Sequence, residues 1–226
     1  MNNVWVCITA KDEAETIGPL VEQLLAGQHN VLVVDDGSRD DTGTLARRAG
    51  ALEMRHGKSE GIGPSLMEAW SYVKRRQGAE RIVQLDAGGS HDPADLAGLL
   101  AVEADLVIGS RFVPGGQYHG RQWRAGCSRL ASLVLNLSQR GPWIHDWSSG
   151  YRVFSRAAVE RLLACRYTAT MHGWQIEVLG RARQYGLSVA EAPISYRAGR
   201  SSLRWSTVHE TILIWQSVLH HMQVYK

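Results

Sequence analysis

Short apolar runs alternate with amphipathic stretches along the first 110 residues. Ile17, Leu20, Val21, Leu24 and Leu25 recur at the spacing of one helix face. The apolar runs that predict buried strands cover residues 4–8, 31–34, 81–85 and 105–109, with a shorter strand near Leu52. Further helices are predicted over residues 41–49, 65–76 and 93–100. Continuous apolar strands separated by helices are typical of a mostly parallel sheet flanked by helices, so we predict an α/β, Rossmann-like, single-domain fold.

The second half of the chain has a less regular pattern. It predicts helices at 128–137, 157–163 and 174–185, a loop at 141–150, an extended segment at 151–154 and a strand at 189–196. Pro193 indicates that this last strand lies at a sheet edge. Residues 207–210 match a capping box, which predicts that an amphipathic helix occupies 206–226. Its apolar stripe could dock on the same domain, on a second subunit or on a membrane.

Acidic residues follow several predicted strands. Glu13 comes after the first strand, Asp35 and Asp36 after the second, and Asp86 after the strand at 81–85. Ligands of open α/β sheets bind outside the carboxyl ends of the strands, so we expect these side chains to line one site. Adjacent carboxylates repel each other and need hydrogen-bond donors, which a nucleotide would supply. The alternative is an ordinary Asp-Gly turn.

Charge is divided unevenly along the 226 residues, whose net charge is +3. Residues 1–110 carry 10 basic against 17 acidic residues, a net of −7. Residues 111–205 carry 14 basic against 4 acidic residues, a net of +10, and all 14 are arginine. Arginine pairs with phosphate oxygens at two points, so this half is expected to receive an anionic partner. A lipid phosphate, a nucleic acid and a diphosphate all remain open.

Other features narrow the class of protein. No run of 18 apolar residues predicts a spanning helix, and the first nine residues lack the pattern of a secretory signal. Three cysteines without C-x-x-C spacing predict buried free thiols in a cytoplasmic protein. The Gly61-Ile62-Gly63 segment does not follow the first strand, which argues against a dinucleotide-binding dehydrogenase. His145 and His172 lack a convincing ligand cluster, so we interpret them as structural.

Several motifs together resemble a known family. They are Thr9–Glu15, Val34–Ser38, Gly61–Ser65, Leu85–Pro93, Val107–Phe112, Asp146–Arg152 and Ala192–Arg197. In this order and spacing they resemble family 2 glycosyltransferases of the GT-A fold, over roughly residues 4–205. The most similar subgroup is that of dolichol-phosphate mannose synthases and bacterial polyprenyl-phosphate glycosyltransferases.

The resemblance implies an inverting transfer of a sugar from a nucleotide diphosphate-sugar, GDP-mannose or a UDP-hexose, to a polyprenyl phosphate. Residues 1–110 would then bind the donor and residues 111–205 the acceptor, at or near a membrane surface. The implied donor residues are Thr9, Lys11, Glu13, Asp35, Asp36, Gly61 and Asp86. The implied acceptor residues are Arg111, Arg124, Arg129, Arg152, Gln175, Glu177, Arg197, Arg200 and Arg204, the last three in a loop that closes over the phosphates. The implied catalytic residues are Asp86, Asp146 and Arg111.

The main departure from the family concerns the metal. The family pattern is Asp-x-Asp, whereas this chain has Asp86-Ala87-Gly88 and so lacks the second carboxylate. Mg²⁺ often takes one or two carboxylates and fills its shell with phosphates and water, so Asp86 with Ser90 or His91 nearby would suffice for Mg²⁺ or Mn²⁺. Alternatively, arginine side chains neutralise the leaving diphosphate.

The nature of the acceptor decides whether a general base is needed. A phosphate acceptor is already anionic, and the protein then only aligns it and stabilises the leaving group. A hydroxyl acceptor would need a base, for which Asp146 is the candidate. Two other interpretations stay open: the same chemistry on a glycan, small metabolite or modified nucleic-acid base, and a nucleotide-sugar-binding protein without activity.

Overall fold

The computed structural model describes residues 3–76, 78–139 and 141–199. The strands are β1 (Val4–Ala10), β2 (Asn30–Asp35), β3 (Leu52–Arg55), β4 (Arg81–Asp86), β5 (Leu106–Ser110), β6 (Gln117–His119), β7 (Arg152–Ser155), β8 (Val189–Pro193) and β9 (Ser195–Arg197). The helices are α1 (Ala14–Ala26), α2 (Thr42–Arg48), α3 (Ile62–Lys74), α4 (Leu96–Leu100), α5 (Gln122–Ser138), α6 (Arg156–Leu162) and α7 (Trp174–Gln184). The predicted helix at 206–226 and the predicted acceptor residues Arg200 and Arg204 lie outside this part of the chain.

A seven-stranded sheet organises the molecule, in the order β3-β2-β1-β4-β7-β5-β8. Its strands are parallel except β7, which runs antiparallel to β4 and β5. Thr9 is level with Val34 of β2 and with Asp86 of β4, so the three strands end at the same height. The chain leaves β1 toward β2 on one side and returns to β4 on the other, which opens a crevice at this edge of the sheet. The predicted mostly parallel α/β fold is confirmed.

Helices cover both faces of this sheet, as the alternating side chains of β1 require. Trp5 and Cys7 point to one core, and Val6 and Ile8 point to the other. The first core is centred on Trp70, whose ring lies 4.8 Å from that of Phe154 and 5.6 Å from that of Trp174. Each such buried aromatic stabilises the fold by about 1.5–3 kcal/mol. Helices α3 and α7 are thereby fixed against the strands that carry the site.

The structure corrects several details of the second half. The predicted strand at 189–196 is divided, because β8 ends at Pro193 on the sheet edge and β9 pairs instead with β6. Helix α5 begins at Gln122, six residues before its predicted start. The prediction missed this first part because residues 122–127 show little apolar periodicity.

The predicted burial of the cysteines is only partly correct. Cys7 is buried, whereas Cys127 is exposed and Cys165 is partly exposed; all three are free thiols. Across the residues that the structure describes, no helix is long and apolar enough to cross a membrane.

Candidate functional site

Asp36, at the end of β2, is surrounded by donors from the loop between β3 and α3. Its carboxylate accepts hydrogen bonds from Glu60 N at 2.7 Å, Gly61 N at 2.9 Å and Ser59 Oγ at 2.7 Å. A fourth hydrogen bond joins it to His56 Nδ1 at 2.9 Å. Burial opposes its ionisation, but these four hydrogen bonds outweigh burial and lower the pKa of Asp36 to about 2. Asp36 therefore anchors the loop that Gly61 belongs to.

Asp35 is covered more completely than its neighbour. Its Oδ1 accepts a hydrogen bond from Ser38 N at 2.9 Å, and its Oδ2 lies 3.6 Å from Arg55 Nε. The side chain has no exposed surface. The structure thus brings Asp35 to the crevice edge but places its carboxylate beneath the surface, with the Arg55 guanidinium beside it.

The loops after β1 and β2 hold each other in place. Asp12, with a φ of +55°, accepts a hydrogen bond from Arg39 N at 2.8 Å and donates its own N–H to Ser38 Oγ at 3.0 Å. Glu13 N donates to Thr42 Oγ1 at 2.8 Å. The predicted donor residues Thr9 and Glu13 are half-buried beside this loop pair, and Lys11 is exposed.

Glu13 carries its carboxylate toward the other acidic residues of the crevice. Its pKa is raised, first by burial and then by the charges of Asp40, Asp86 and Asp12, while a hydrogen bond from Thr16 opposes the rise. A nearby cation or hydrogen-bond donor would stabilise the ionised form of this carboxylate.

Asp86, at the end of β4, is the most open of the strand-tip carboxylates. Its side chain is 40% exposed, against 8% for Asp36. His91 Nε2 lies 3.4 Å from Asp86 Oδ2, and the His91 ring sits between those of Tyr151 and Tyr196. A Cβ on Gly150 would come within 2.7 Å of Asp86 Oδ2, so glycine is required for this approach. Asp86 is therefore free to meet a ligand from the crevice side.

Arg111 and Asp146 form a buried ion pair on the far side of the crevice. Arg111 Nε and Nη2 donate to the two Asp146 oxygens at 2.6 Å each, and Arg111 N donates at 3.1 Å. Burial opposes the charge of Asp146, but Arg111 outweighs it and lowers the pKa of that carboxyl. The Ser148 hydroxyl donates a further hydrogen bond to Asp146 Oδ1 at 3.3 Å. That Asp146 is a general base stays a prediction; in the structure its carboxylate is enclosed and holds the Arg111 guanidinium.

Several predicted acceptor residues are also enclosed. Arg152 is fully buried and donates to Trp147 O at 3.0 Å, Ser149 O at 3.0 Å and Gln175 O at 2.7 Å. Burial lowers the pKa of Arg152 to about 10. Glu177 accepts from Ala169 N at 2.8 Å and from Thr168 N at 3.0 Å. The structure does not bring Arg152, Gln175 or Glu177 to the surface, since all three are buried. Hydrogen bonds hold the side chains of Arg152 and Glu177 to the backbone around β7 and α7.

Other arginines remain accessible. Arg124 and Arg121 line a cavity of about 310 Å³ together with Gly120, Ala198 and Gly199. The Arg129 guanidinium lies 4.8 Å from the ring of Phe112, and Arg197 is exposed at the end of β9. These side chains of the arginine-rich half, residues 111–205, are at least partly exposed.

Sequence reasoning missed residues whose partners are distant along the chain. His56 joins Asp36 to Glu68, with 2.7 Å between His56 Nε2 and Glu68 Oε2. Tyr196 stacks on Tyr118 at 5.8 Å, with Arg111 5.0 Å from the Tyr196 ring. No local pattern around these residues distinguishes them. In the described ranges, no three His, Cys, Asp or Glu side chains are grouped as metal ligands.

Comparison with known proteins identifies relatives that are similar to most of this chain in sequence or in fold. The sequence model of glycosyl transferase family 2 matches residues 5–163. The chain is 33% identical over 221 residues to polyprenol monophosphomannose synthase of Mycolicibacterium smegmatis, covering 92% of this chain and 83% of that protein. It is 29% identical over 203 residues to undecaprenyl-phosphate mannosyltransferase of Micrococcus luteus, covering 82% and 80%. The fold is similar to that of glucosyl-3-phosphoglycerate synthase from Mycobacterium tuberculosis in complex with UDP, with a TM-score of 0.74, 20% identity and 97% and 80% coverage.

Proposed function

The chain belongs to glycosyl transferase family 2 and is a glycosyltransferase, and on that premise we propose that it transfers mannose, with inversion, from GDP-mannose to a polyprenyl phosphate. The relatives named polyprenol monophosphomannose synthase and undecaprenyl-phosphate mannosyltransferase support this sugar and this acceptor class.

One surface feature carries the choice of acceptor: the outer face of α5 is apolar and lies beside accessible arginines. Leu130 is 62% exposed and Leu137 is 75% exposed. Large side chains of this face and of the loop that follows α5 are exposed in one region: Trp123, Leu130, Leu133, Val134, Leu137 and Trp143. A contiguous exposed apolar surface indicates a binding site for a lipid or a partner. A phosphate that carries an apolar chain matches arginines and leucines on the same helix.

The arginine side of this surface offers a place for the phosphate. Arg121 and Arg124 lie in the first turn of α5 or just before it, where they line the cavity described above. The Trp123 ring lies 5.5 Å from the Arg124 guanidinium, so an aromatic surface adjoins the charge. A second groove, of about 230 Å³, lies farther along α5 and is lined by Arg129, Leu133 and Trp143 among others. The phosphate would bind at the cavity and the first isoprene units would follow the groove.

The donor would bind at the crevice edge formed by β1, β2 and β4. The acceptor phosphate is already anionic and can attack the anomeric carbon without a general base, which agrees with an Asp146 carboxylate held by Arg111. The chain's contribution is then alignment of acceptor and donor, with exclusion of water by the loops around the crevice.

A divalent cation would be held by Asp86, whose side chain is 40% exposed. When bound, Mg²⁺ or Mn²⁺ neutralises charge on the departing diphosphate. Accessible arginines, Arg197 among them, would add to that neutralisation from the acceptor side.

The activity is tested by incubating the protein with GDP-[¹⁴C]mannose, or with UDP-[¹⁴C]glucose, and undecaprenyl phosphate in vesicles. We expect label from GDP-mannose to move into the organic phase. Label that appears in an aqueous product would overturn the acceptor, and donor binding without turnover would overturn the activity.

A double substitution that introduces two negative charges tests the role of the apolar face. Leu130→Glu with Leu137→Glu should raise KM for undecaprenyl phosphate in vesicles at least tenfold, yet leave KM for a short, water-soluble prenyl phosphate within about threefold. Leu52→Glu, at a leucine on β3 that is 45% exposed, is the control and should change neither value. Equal loss with both acceptors would contradict a lipid-binding role for α5.

A further inference from the structure

Gly88 occupies the position where the family pattern has a second acidic residue, and the structure shows what fills the space. A Cβ built on Gly88 would lie 3.1 Å from Glu13 Oε1 and 3.7 Å from Glu13 Cδ. The Glu13 carboxylate therefore takes up the volume that an aspartate side chain at 88 would enter. The carboxylate missing from the end of β4 is replaced in space by one from the end of β1.

We propose that Glu13 serves, with Asp86, as the second carboxylate of the divalent-metal site. This inference rests on the proposed function, because it concerns the cation that would accompany the donor diphosphate. The family resemblance implies only that Glu13 binds the donor, which means contact with the base or ribose rather than with a metal.

The backbone around Glu13 is fixed, which keeps its side chain at this position. Its carbonyl oxygen accepts from Thr16 N at 3.1 Å and Ile17 N at 3.0 Å at the start of α1. Its N–H donates to Thr42 Oγ1 at 2.8 Å, so α2 holds it from the other side. Thr16 Oγ1 lies 3.3 Å from Glu13 Oε2 and fixes the carboxylate. Oε1 is left facing Gly88.

The charges of the crevice also favour a cation. Glu13 follows β1 by three residues and Asp86 ends β4, and these adjacent parallel strands end level with each other. Within the described ranges, no lysine or arginine lies within ion-pair distance of either carboxylate; His91 lies 3.4 Å from Asp86, and His172 and Arg152 act on Asp86 from farther away. Two carboxylates from different strands, completed by diphosphate oxygens and water, form a donor set that suits Mg²⁺ or Mn²⁺. The residues present therefore fit the metal despite the altered triplet.

Direct measurement of Mn²⁺ binding tests the proposal without a sugar acceptor. The free Mn²⁺ signal in electron paramagnetic resonance, titrated with protein in the presence of GDP or UDP, gives the metal Kd. Glu13→Gln should weaken Mn²⁺ binding at least tenfold, while nucleotide affinity measured without metal stays within about twofold. Glu15→Gln, which removes a charge from an exposed residue of the same helix turn, is the matched control and should leave the metal Kd unchanged.

A relocation variant sharpens the test. Gly88 does not have a positive φ, so an aspartate there adds no backbone strain. Glu13→Ala with Gly88→Asp empties the volume that the Glu13 side chain fills, returns the carboxylate to the segment after β4, and should restore the metal Kd to within about threefold of the unmodified protein. This variant keeps the proposal testable even where the single substitution affects folding.

Three results would overturn the inference: unchanged Mn²⁺ binding in Glu13→Gln, an equal loss of nucleotide affinity with and without metal, or no recovery in the relocation variant. The second result would restore Glu13 to a role at the ribose. A protein that binds Mn²⁺ through Glu13 but glycosylates an aqueous acceptor would retain this inference and lose the proposed acceptor, so the two failures are distinct.

Discussion

Gly61 lies directly against the carbonyl oxygen of Thr170: a Cβ on Gly61 would come within 2.5 Å of that atom. Gly61 also has a φ of +100°, and its N–H donates to Asp36. One glycine thus joins the loop before α3 both to the tip of β2 and to the segment that leads into α7. Residues 1–110 and residues 111–205 meet at this contact.

Gly61→Ala should therefore damage both stability and donor binding. The positive φ alone costs about 1–3 kcal/mol for a residue with a side chain, and the contact with Thr170 O forces a shift of the loop that holds Asp36. Chemical denaturation and nucleotide titration measure the two effects. The control is Gly98→Ala in α4, where a Cβ meets nothing within 4 Å and where alanine should stabilise the helix by about 0.5–1 kcal/mol. Equal behaviour of the two variants would contradict the assigned contact.

Asp146→Asn should destabilise the protein through Arg111 rather than through loss of a base. Removing one partner of a buried ion pair costs about 3–5 kcal/mol because the remaining charge is uncompensated. We expect a lower free energy of unfolding and a higher KM for the acceptor. The pH dependence of kcat should keep its shape, since Asp146 takes no proton. If Asp146→Asn instead removed an ionisation from the kcat profile, Asp146 would be the base after all.

Arg152→Met should lower the stability of the protein, whereas Arg129→Met should raise the acceptor KM. Arg152→Met leaves three carbonyl groups without their donor, at about 1–3 kcal/mol for each unsatisfied group, so stability should fall sharply. The acceptor KM, measured where the variant is folded, should stay within about twofold. Arg129 is exposed, so Arg129→Met should raise the acceptor KM with little loss of stability. An Arg152 variant of normal stability and raised acceptor KM would show that Arg152 touches the acceptor.

The His56 bridge predicts a pH dependence of stability. Burial opposes its protonation, but hydrogen bonds with Asp36 and Glu68 and the charges of Glu68 and Glu60 outweigh it and raise the pKa of His56 above 6.5. The folded state therefore binds the proton more tightly than the unfolded state. This contribution is fully present below pH 6.5 and is lost as the pH rises through the raised pKa.

His56→Gln isolates that contribution. The difference in unfolding free energy between the unmodified protein and the variant should be largest near pH 6 and should shrink as the pH rises toward 9. Urea denaturation at each pH measures it, and His119→Gln, an exposed histidine on β6, is the control. A difference that grows with pH would reverse the sign and refute the assignment.

Much of the secondary structure of residues 1–110 was predictable from the local pattern of apolar residues. The four principal strands were predicted to within about two residues, because continuous apolar runs bounded by polar residues have few other solutions. The antiparallel direction of β7 and the pairing of β6 with β9 were not predicted. Both depend on the paths of the loops in residues 111–205, which local sequence pattern does not specify.

The predicted site residues divide in the same way. Asp36, Asp86 and Glu13 gather at one sheet edge as expected, because parallel strands end together. Whether a carboxylate there is free or already bonded was not predictable, since the partners of Asp36 lie 20–25 residues away.

The amino-acid sequence by itself determined the α/β architecture and the edge where acidic residues collect, because strand burial and chain direction depend on local apolar pattern. Only the tertiary structure decided which charged groups are enclosed, as Arg111, Asp146 and Arg152 are, and which stay open, as Asp86 does. It also brought Glu13 beside Gly88, 75 positions along the chain. Such distances are set by the packing of loops and helices, and no local spacing encodes them.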